Sequence, residues 1–473
     1  MLKSLFWKLL ERFGVQGVQF ILQIILARLL SPDLYGVLGI MIIFTTLANV
    51  FIQNGFNTSL IQGKEVTEED YSSVFWITMA SAVLLYIIIF LTAPFIAEFY
   101  EMPEITAPFR VLAIVLIPGA VNSIQVAKVS RDMDFKKIFT GNIAAVIISG
   151  IAGIAIAYNG GGLWALVSQN LINVTVACIV MLFTVKWKPR FVCNFERISV
   201  LFSYGWKLLV SALIDTLYQD LSSLVIGKKY DSGMLGYYNR GKQFPQFIIG
   251  AVNGAIQSVL LPAMSSEQDD NSKVKQMMRN SMTLSAYIIF PMMAGLAAIA
   301  EPMVSLLLTD KWLPCVPYLQ IFCFSFAFWP VHTSNLQAIN AVGRSDIFLK
   351  LEIIKKIYGI IILLIAIFCF DSPIAIAMTG AVTALLSSFV NAFPNKSLIG
   401  YSYFDQMKDI MPSFIMASIM FTAVYFIGKI GLNNILTLVI QIVSGVGIYL
   451  LLSLITKNRP FGVIVNFFRR REM

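Results

Sequence analysis

The sequence predicts an all-α integral membrane protein of about 14 transmembrane helices, with two pseudo-symmetric six-helix lobes followed by two further helices. Three observations carry that prediction. Hydrophobic residues make up 58% of the chain and charged residues only 13%, about half the charged share of a soluble domain. Apolar stretches of the roughly 20 residues needed to cross a bilayer recur throughout, centred near 21, 47, 84, 115, 149, 173, 215, 253, 293, 327, 361, 386, 420 and 446. The first half also repeats in the second about 200 residues on: Ala27 to Gly36 against Gly227 to Gly236, and Asn54-Gly55 before Ser59 against Asn253-Gly254 before Ser258. Pro118 with Ile124-Gln125 matches Pro330 with Leu336-Gln337 on a shift of 212, because the second copy has a longer loop around Glu267 to Arg279.

The first segment follows Lys3, Lys8 and Arg12. A signal peptide starts the same way, but this run is too long, is studded with Gln, and has no small-residue cleavage site, so it is read as the first helix. Turn chemistry then separates the segments at Ser31-Pro32-Asp33, Glu101-Met102-Pro103, Asn159-Gly160-Gly161-Gly162, Asp310 to Pro314 and Asp371-Ser372-Pro373. The segments near 21, 215 and 253 are the most polar. Segments one to six give an N-lobe over 1–195, and seven to twelve a C-lobe over 196–400, joined by the basic loop Lys186 to Arg197. Segments thirteen and fourteen, with a basic tail, occupy 401–473. Two lobes in the same orientation imply an axis along the membrane normal, a transporter's architecture in which lobes rock around a site at their interface. No loop is long enough to house a soluble domain.

The net charge of +9 would point to nucleic acid in a soluble protein, but its placement here explains it otherwise. With fourteen spans the termini share a side, and loops on that side carry 24 of the 35 basic residues. Eight lie near the other side: Arg28, Arg110, Lys228, Lys229, Arg240, Lys242, Lys311 and Lys429. The positive-inside rule therefore puts both termini in the cytoplasm, and no nucleic-acid partner is needed. Cys178, Cys193, Cys315, Cys323 and Cys369 show no metal spacing and are read as buried small hydrophobes. The sequence holds no G-x-S-x-G, P-loop or H-E-x-x-H. Asp269-Asp270 is read as a solvated charge run, so neither catalytic residues nor a cofactor or metal are expected.

Polar side chains at membrane depth are costly and mark either pathways or pairings. Arg12, Gln16, Gln19 and Gln23 share one face of the first helix, and Ser211, Asp215, Tyr218 and Ser222 hold the equivalent face of the seventh. Asn49, Gln53 and Asn57 on the second helix and Gln246, Asn253 and Gln257 on the eighth extend these stripes. Interhelical hydrogen bonding accounts for such residues one by one; a stripe shared by both copies favours the wall of a wet cavity. Lys207 lies one turn before Ser211 and either adds positive charge at the cytoplasmic mouth or snorkels to the interface. Asp215 is the candidate for ion coupling, with neutralisation of a nearby cation as the alternative, and Asp220 is a weaker candidate. His332, amid Thr333, Ser334, Asn335 and Gln337, is read as a hydrogen-bonded helix residue rather than a proton relay. Arg28, Lys228 and Lys229 either anchor at the interface or form a ring of cations toward anionic headgroups.

Leu26 to Gly39, L-A-R-L-L-S-P-D-L-Y-G-V-L-G, then Asn54-Gly55-Phe56, Leu60-Ile61-Gln62 and Thr67-Glu68-Glu69-Asp70 resemble the opening of the Wzx-like polysaccharide and lipid-linked oligosaccharide flippases. These belong to the multidrug/oligosaccharidyl-lipid/polysaccharide exporter superfamily. Gly236 to Arg240, Leu261 to Ser265, Trp312-Leu313-Pro314 and Ala341 to Arg344 extend the resemblance from about residue 10 to 400. It implies a MATE-like bundle that carries an undecaprenyl-diphosphate-linked sugar repeat across the cytoplasmic membrane for O-antigen, capsule, exopolysaccharide or teichuronic-type polymer. Gln, Asn, Ser and Tyr suit sugar hydroxyls, and Arg12 with Lys207 suits a diphosphate. The resemblance also implies membrane lipids and a polysaccharide polymerase as partners. An ion gradient or consumption of the product gives direction. A drug antiporter on the same fold would want an acid in the first lobe and a more aromatic cavity. A peptidoglycan-precursor flippase differs only in cargo, and a glycan polymerase would need a larger outer loop.

Overall fold

The computed structural model describes residue 7 and residues 14–54, 60–61, 66–192 and 194–463. Helices stand at each expected place: α1 (Gln16–Leu29), α2 (Pro32–Asn54), α3 (Glu68–Phe99), α4 (Pro103–Arg131), α5 (Phe135–Tyr158), α6 (Leu163–Val185) and α7 (Phe195–Lys229). Then follow α8 (Ser232–Ser265), α9 (Asn271–Ala298), α10 (Asp310–Ala341), α11 (Ser345–Cys369), α12 (Pro373–Ile399), α13 (Tyr403–Ile427) and α14 (Asn434–Ile455). A short helix, Ala300–Leu308, precedes α10. Among the described residues, 11 helices are long and apolar enough to cross a membrane, so this is a multi-pass membrane protein. The other three, α1, α8 and α11, fall short of that measure. α1 has only 14 residues, α8 carries Arg240 and Lys242 with two prolines, and α11 carries Lys350, Glu352, Lys355 and Lys356.

Local chemistry sets the helix ends. Thr67 Oγ1 accepts from the Asp70 N–H while Asp70 accepts from the Thr67 N–H at 2.8 Å, a capping box that opens α3. Ser402 and Asp405 repeat the device at α13. Asp270 caps α9 by accepting from the N–H groups of Ser272 and Lys273, which gives the Asp269-Asp270 run a structural role. α4 and α10 end alike: the Asp134 N–H reaches back to Val129 O and the Arg344 N–H to Ile339 O. The left-handed residue in these two turns is Met133 in one copy and Gly343 in the other.

The chain divides into two compact units, Met1–Gly236 and Tyr237–Met473. α7, assigned by sequence to the second lobe, packs within the first unit along α2 and against α3. Lipid is as apolar as leucine, so these helices adhere through close packing rather than through hydrophobic exclusion. α5 accordingly buries Gly141, Ala145, Ser149, Gly150 and Gly153. A Cβ added at Gly150 would stand 2.3 Å from Leu22 of α1, and one at Gly153 would stand 3.1 Å from Gln169 of α6. In the second unit α13 lies along α9, burying Ile410, Met416, Met420 and Val424. A helix outside the repeat is thus part of that unit's core.

A close backbone approach joins the repeat's own landmarks. At the first turns of α2 and α8, a Cβ on Gly36 would lie 1.7 Å from Ser232 O, and one on Gly236 would lie 2.1 Å from Pro32 O. Any side chain at either position would overlap backbone.

Candidate functional site

The stripes divide by what each side chain touches. On α1, Gln16 and Gln19 are exposed and Gln23 is half-buried, while Leu26 and Ala27 are fully buried. α1 rests on α5 through Leu22, and Gln16 and Gln19 stay exposed. On α2, Gln53 is exposed, whereas Asn49 donates to Thr45 O at 3.0 Å and lies against Gly119 of α4. On α7, Lys207 and Ser211 are exposed, and Asp215 and Tyr218 are half-buried. Arg12 and Asn57 lie outside the described residues.

In the second unit Gln246 and Gln257 of α8 are exposed. Asn253 instead accepts from Thr333 Oγ1 of α10 at 2.6 Å, so its side chain holds two helices together. Gln16, Gln19, Gln53, Lys207, Ser211, Gln246 and Gln257 are therefore exposed, while Asn49 and Asn253 serve the packing.

Two cations acquire partners in the fold, and one thiol departs from the sequence reading. Lys228, read from the sequence as an interfacial anchor or one of a ring of cations toward headgroups, donates to Glu101 at 2.8 Å, and this bond holds the Glu101 carboxyl below its usual range. Arg240, counted with the outer side, is a buried helical residue. It donates to Gln243 Oε1 at 2.6 Å and lies 5.0 Å from the centre of the Trp312 ring, where the aromatic face offsets part of the desolvation. Cys369 is exposed where burial was expected, because it ends α11, against which, among the described residues, α12 packs most and α10 less. Cys178, Cys315 and Cys323 are buried, and Cys193 lies outside the described residues.

A buried amide network on α10, α12 and α13 escaped the sequence reading except for its α10 members. Asn335 Nδ2 donates to Gln406 Oε1 at 2.8 Å, and Gln406 Nε2 returns a bond to Asn335 Oδ1 at 3.0 Å. Asn395 Nδ2 donates to the same Asn335 oxygen at 2.7 Å. Asn391 Nδ2 lies 3.4 Å from His332 Nδ1, which gives that histidine a structural partner. Asn391 and Asn395, four residues apart in an apolar segment, were the available signal.

On the basic side, loops are clamped rather than free. Glu68 pairs with Lys128 and accepts from Trp187 Nε1 at 2.7 Å. Arg279 pairs with Asp409 at 2.5 Å, and Asp409 also accepts from the Tyr401 hydroxyl. Among the described residues no three His, Cys, Asp or Glu side chains come together as metal ligands do. The open faces offer neutral donors and acceptors, suited to binding hydroxylated molecules.

The family described as polysaccharide biosynthesis protein matches residues 25–317. The succinoglycan biosynthesis transport protein ExoT of Rhizobium meliloti (strain 1021) is 22% identical over 488 residues, covering 98% of this chain and 95% of that protein. The teichuronic acid biosynthesis protein TuaB of Bacillus subtilis (strain 168) is 25% identical over 305 residues, 64% of this chain and 63% of that protein. That match spans less than two thirds of TuaB. Among solved structures, the lipid II flippase MurJ in an inward closed conformation has the same fold, with a TM-score of 0.78 at 14% identity over 96% of this chain and 99% of that one.

Proposed function

Because the chain belongs to the polysaccharide biosynthesis protein family, whose match runs from α1 into α10, we propose that it is a flippase for undecaprenyl-diphosphate-linked oligosaccharide repeat units. It works in the cytoplasmic membrane, with both termini in the cytoplasm, and feeds surface polysaccharide synthesis. The observation that carries this reading is the match along 98% of the chain to a protein named as a succinoglycan transport protein. The MurJ-like fold and the open amide faces support it. Gln16, Gln19, Gln53 and Ser211 in the first unit, and Gln246 and Gln257 in the second, are the residues assigned to glycan hydroxyls, a task for neutral side chains that both donate and accept. Lys207, with Arg12, attracts the diphosphate. The polyprenyl tail stays in lipid while the head crosses by alternating access. A cargo that binds both conformations equally shifts neither, so direction comes from ion exchange at Asp215 or from a polymerase that consumes the product.

The test is the leaflet distribution of lipid-linked glycan in cells with and without the protein, read with a membrane-impermeant probe for the sugar. Loss of the protein should trap the lipid-linked unit inside, and restoring it should bring the glycan outside. An unchanged distribution would overturn the reading and leave a drug antiporter on this fold as its successor. Trapping of the peptidoglycan precursor instead would replace the cargo.

A further inference from the structure

Two adjoining cavities at one end of α13 differ sharply in character. The first, of about 490 Å³, lies among α9, α10 and α13, with Phe290, Met293, Phe324, Phe414 and Phe421 in its wall. The second, of about 230 Å³, is lined by Glu301, Ser305, Asp310, Lys429, Asn434 and Gln441. Gln320 and Tyr425 belong to both linings, so the two form one composite cleft with an apolar and a polar part. Phe324 and Tyr425 are exposed and mark where it opens. Its size is that of ligand clefts, roughly 300–1,000 Å³.

The polar part is charged and has one unmet need. Lys429 Nζ approaches Glu301 Oε2 only to 3.4 Å, a long contact. Asp310 accepts from Ser305, which in turn accepts from Asn434 at 3.1 Å. Gln441, 1% exposed, spends its N–H groups on backbone carbonyls, one of them Val424 O at 3.0 Å, and its Oε1 has no partner. A buried amide oxygen without a donor is costly, so a ligand that brings N–H groups is favoured.

We propose that this cleft binds one aminophospholipid of the phosphatidylethanolamine type, with an acyl chain in the apolar part and the head in the polar part. The primary ammonium offers three N–H donors, enough for Glu301, Asp310 and Gln441, while Lys429 meets the phosphate. Phosphatidylcholine has no N–H for Gln441. Phosphatidylglycerol places a net negative charge beside two carboxylates, and a lipid diphosphate does so more strongly. The site uses none of the residues assigned to the glycan cargo.

The full-length protein in detergent is titrated with palmitoyl-oleoyl phosphatidylethanolamine, phosphatidylcholine or phosphatidylglycerol, and retained lipid is read by native mass spectrometry. One phosphatidylethanolamine should be retained roughly tenfold more tightly than either of the others, the scale of one charge-assisted hydrogen bond. Ser418→Phe, which fills the apolar part, should abolish that preference, and Lys429→Ala, which removes the contact to the phosphate that all three lipids share, should weaken retention of each. Both positions are exposed, so neither substitution disturbs packing. Ile357→Phe, on the exposed face of α11, should leave it intact. Equal retention of the three lipids would mean a non-specific lipid annulus and would overturn the proposal, as would a preference for phosphatidylglycerol or unchanged retention in Ser418→Phe.

Discussion

Replacing Gly36 with alanine tests the α2–α8 contact directly. Its Cβ would sit 1.7 Å from Ser232 O, whereas carbon and oxygen rest no closer than about 3.3 Å. The two helix starts must therefore part by roughly 1.6 Å, because the obstacle is backbone and has no rotamer to yield. Overpacking of this kind costs about 1–3 kcal/mol, which lowers the population of the closed contact by roughly 5–150-fold. Gly17→Ala is the control, since nothing lies within 4 Å of its Cβ and the substitution only raises helix propensity, by about 1 kcal/mol. The assay is disulfide formation between cysteines placed at Asp33 and Gly233, where a Cβ on Gly233 would stand 2.7 Å from Asp33 Oδ1. The pair should cross-link readily beside Gly17→Ala and at least about fivefold more slowly beside Gly36→Ala or Gly236→Ala. With both alanines present the loss should be less than additive, because one contact is being broken twice. A cross-linking rate unaffected by Gly36→Ala would refute the reasoning.

Other residues make separate demands. Glu101 has its pKa lowered by the Lys228 bond, so its contribution is present above the ordinary glutamate value of 4.5 and disappears as pH falls through the lower folded value. Lys228→Ala should therefore melt below the wild type at neutral pH and match it in strong acid; a gap that persists in acid contradicts this. Asn335→Ala strips partners from Gln406 and Asn395 and should cost about 1–3 kcal/mol in denaturant unfolding, with an unchanged midpoint as the negative result. Gln16→Ala with Gln19→Ala should reduce glycan export at wild-type stability, while Asn253→Ala should lower stability first; the reverse pattern would exchange the roles given to these amides. Met133→Gly relieves a left-handed side chain and should stabilise by about 1 kcal/mol, whereas Gly343→Ala should destabilise by a similar amount, both read as shifts in melting temperature.

The sequence announced its helices where hydrophobicity and length spoke together, as in α3, with its capping box, and α14. It was less informative where charge pairs hide inside a helix. α11 read as an ordinary span, yet it holds Lys355 paired with Glu352 at 2.5 Å, and its polarity takes it below the measure that α7 passes. The stripes on α1 and α8 were visible as periodicity, but periodicity cannot tell an open amide from a bonded one. Gln246 and Asn253 sit on the same helix, and only the approach of Thr333 from α10 separates them. Gln406 was invisible for a related reason: beyond a local bond to Tyr401 O, its partner Asn335 reaches it from α10 through tertiary packing, which no local pattern records.

At the α2–α8 crossing, Gly36 meets Ser232 while Gly236 meets Pro32. That reciprocity, in which one residue touches the copy of its own neighbour, is the signature of an isologous interface between identical subunits. Here both surfaces belong to one polypeptide. Fusion lets two halves diverge, since each change is made once rather than twice, and the flanking residues have used that freedom: Asp33 stands where its counterpart is Gly233, and Tyr35 where it is Leu235. The two glycines have no such freedom while the backbones touch. A chain ending before α7 would strip the turn from Pro32 to Gly36 of this backbone partner, and the surface that would seek it, in a second copy of the same fragment, is that turn itself.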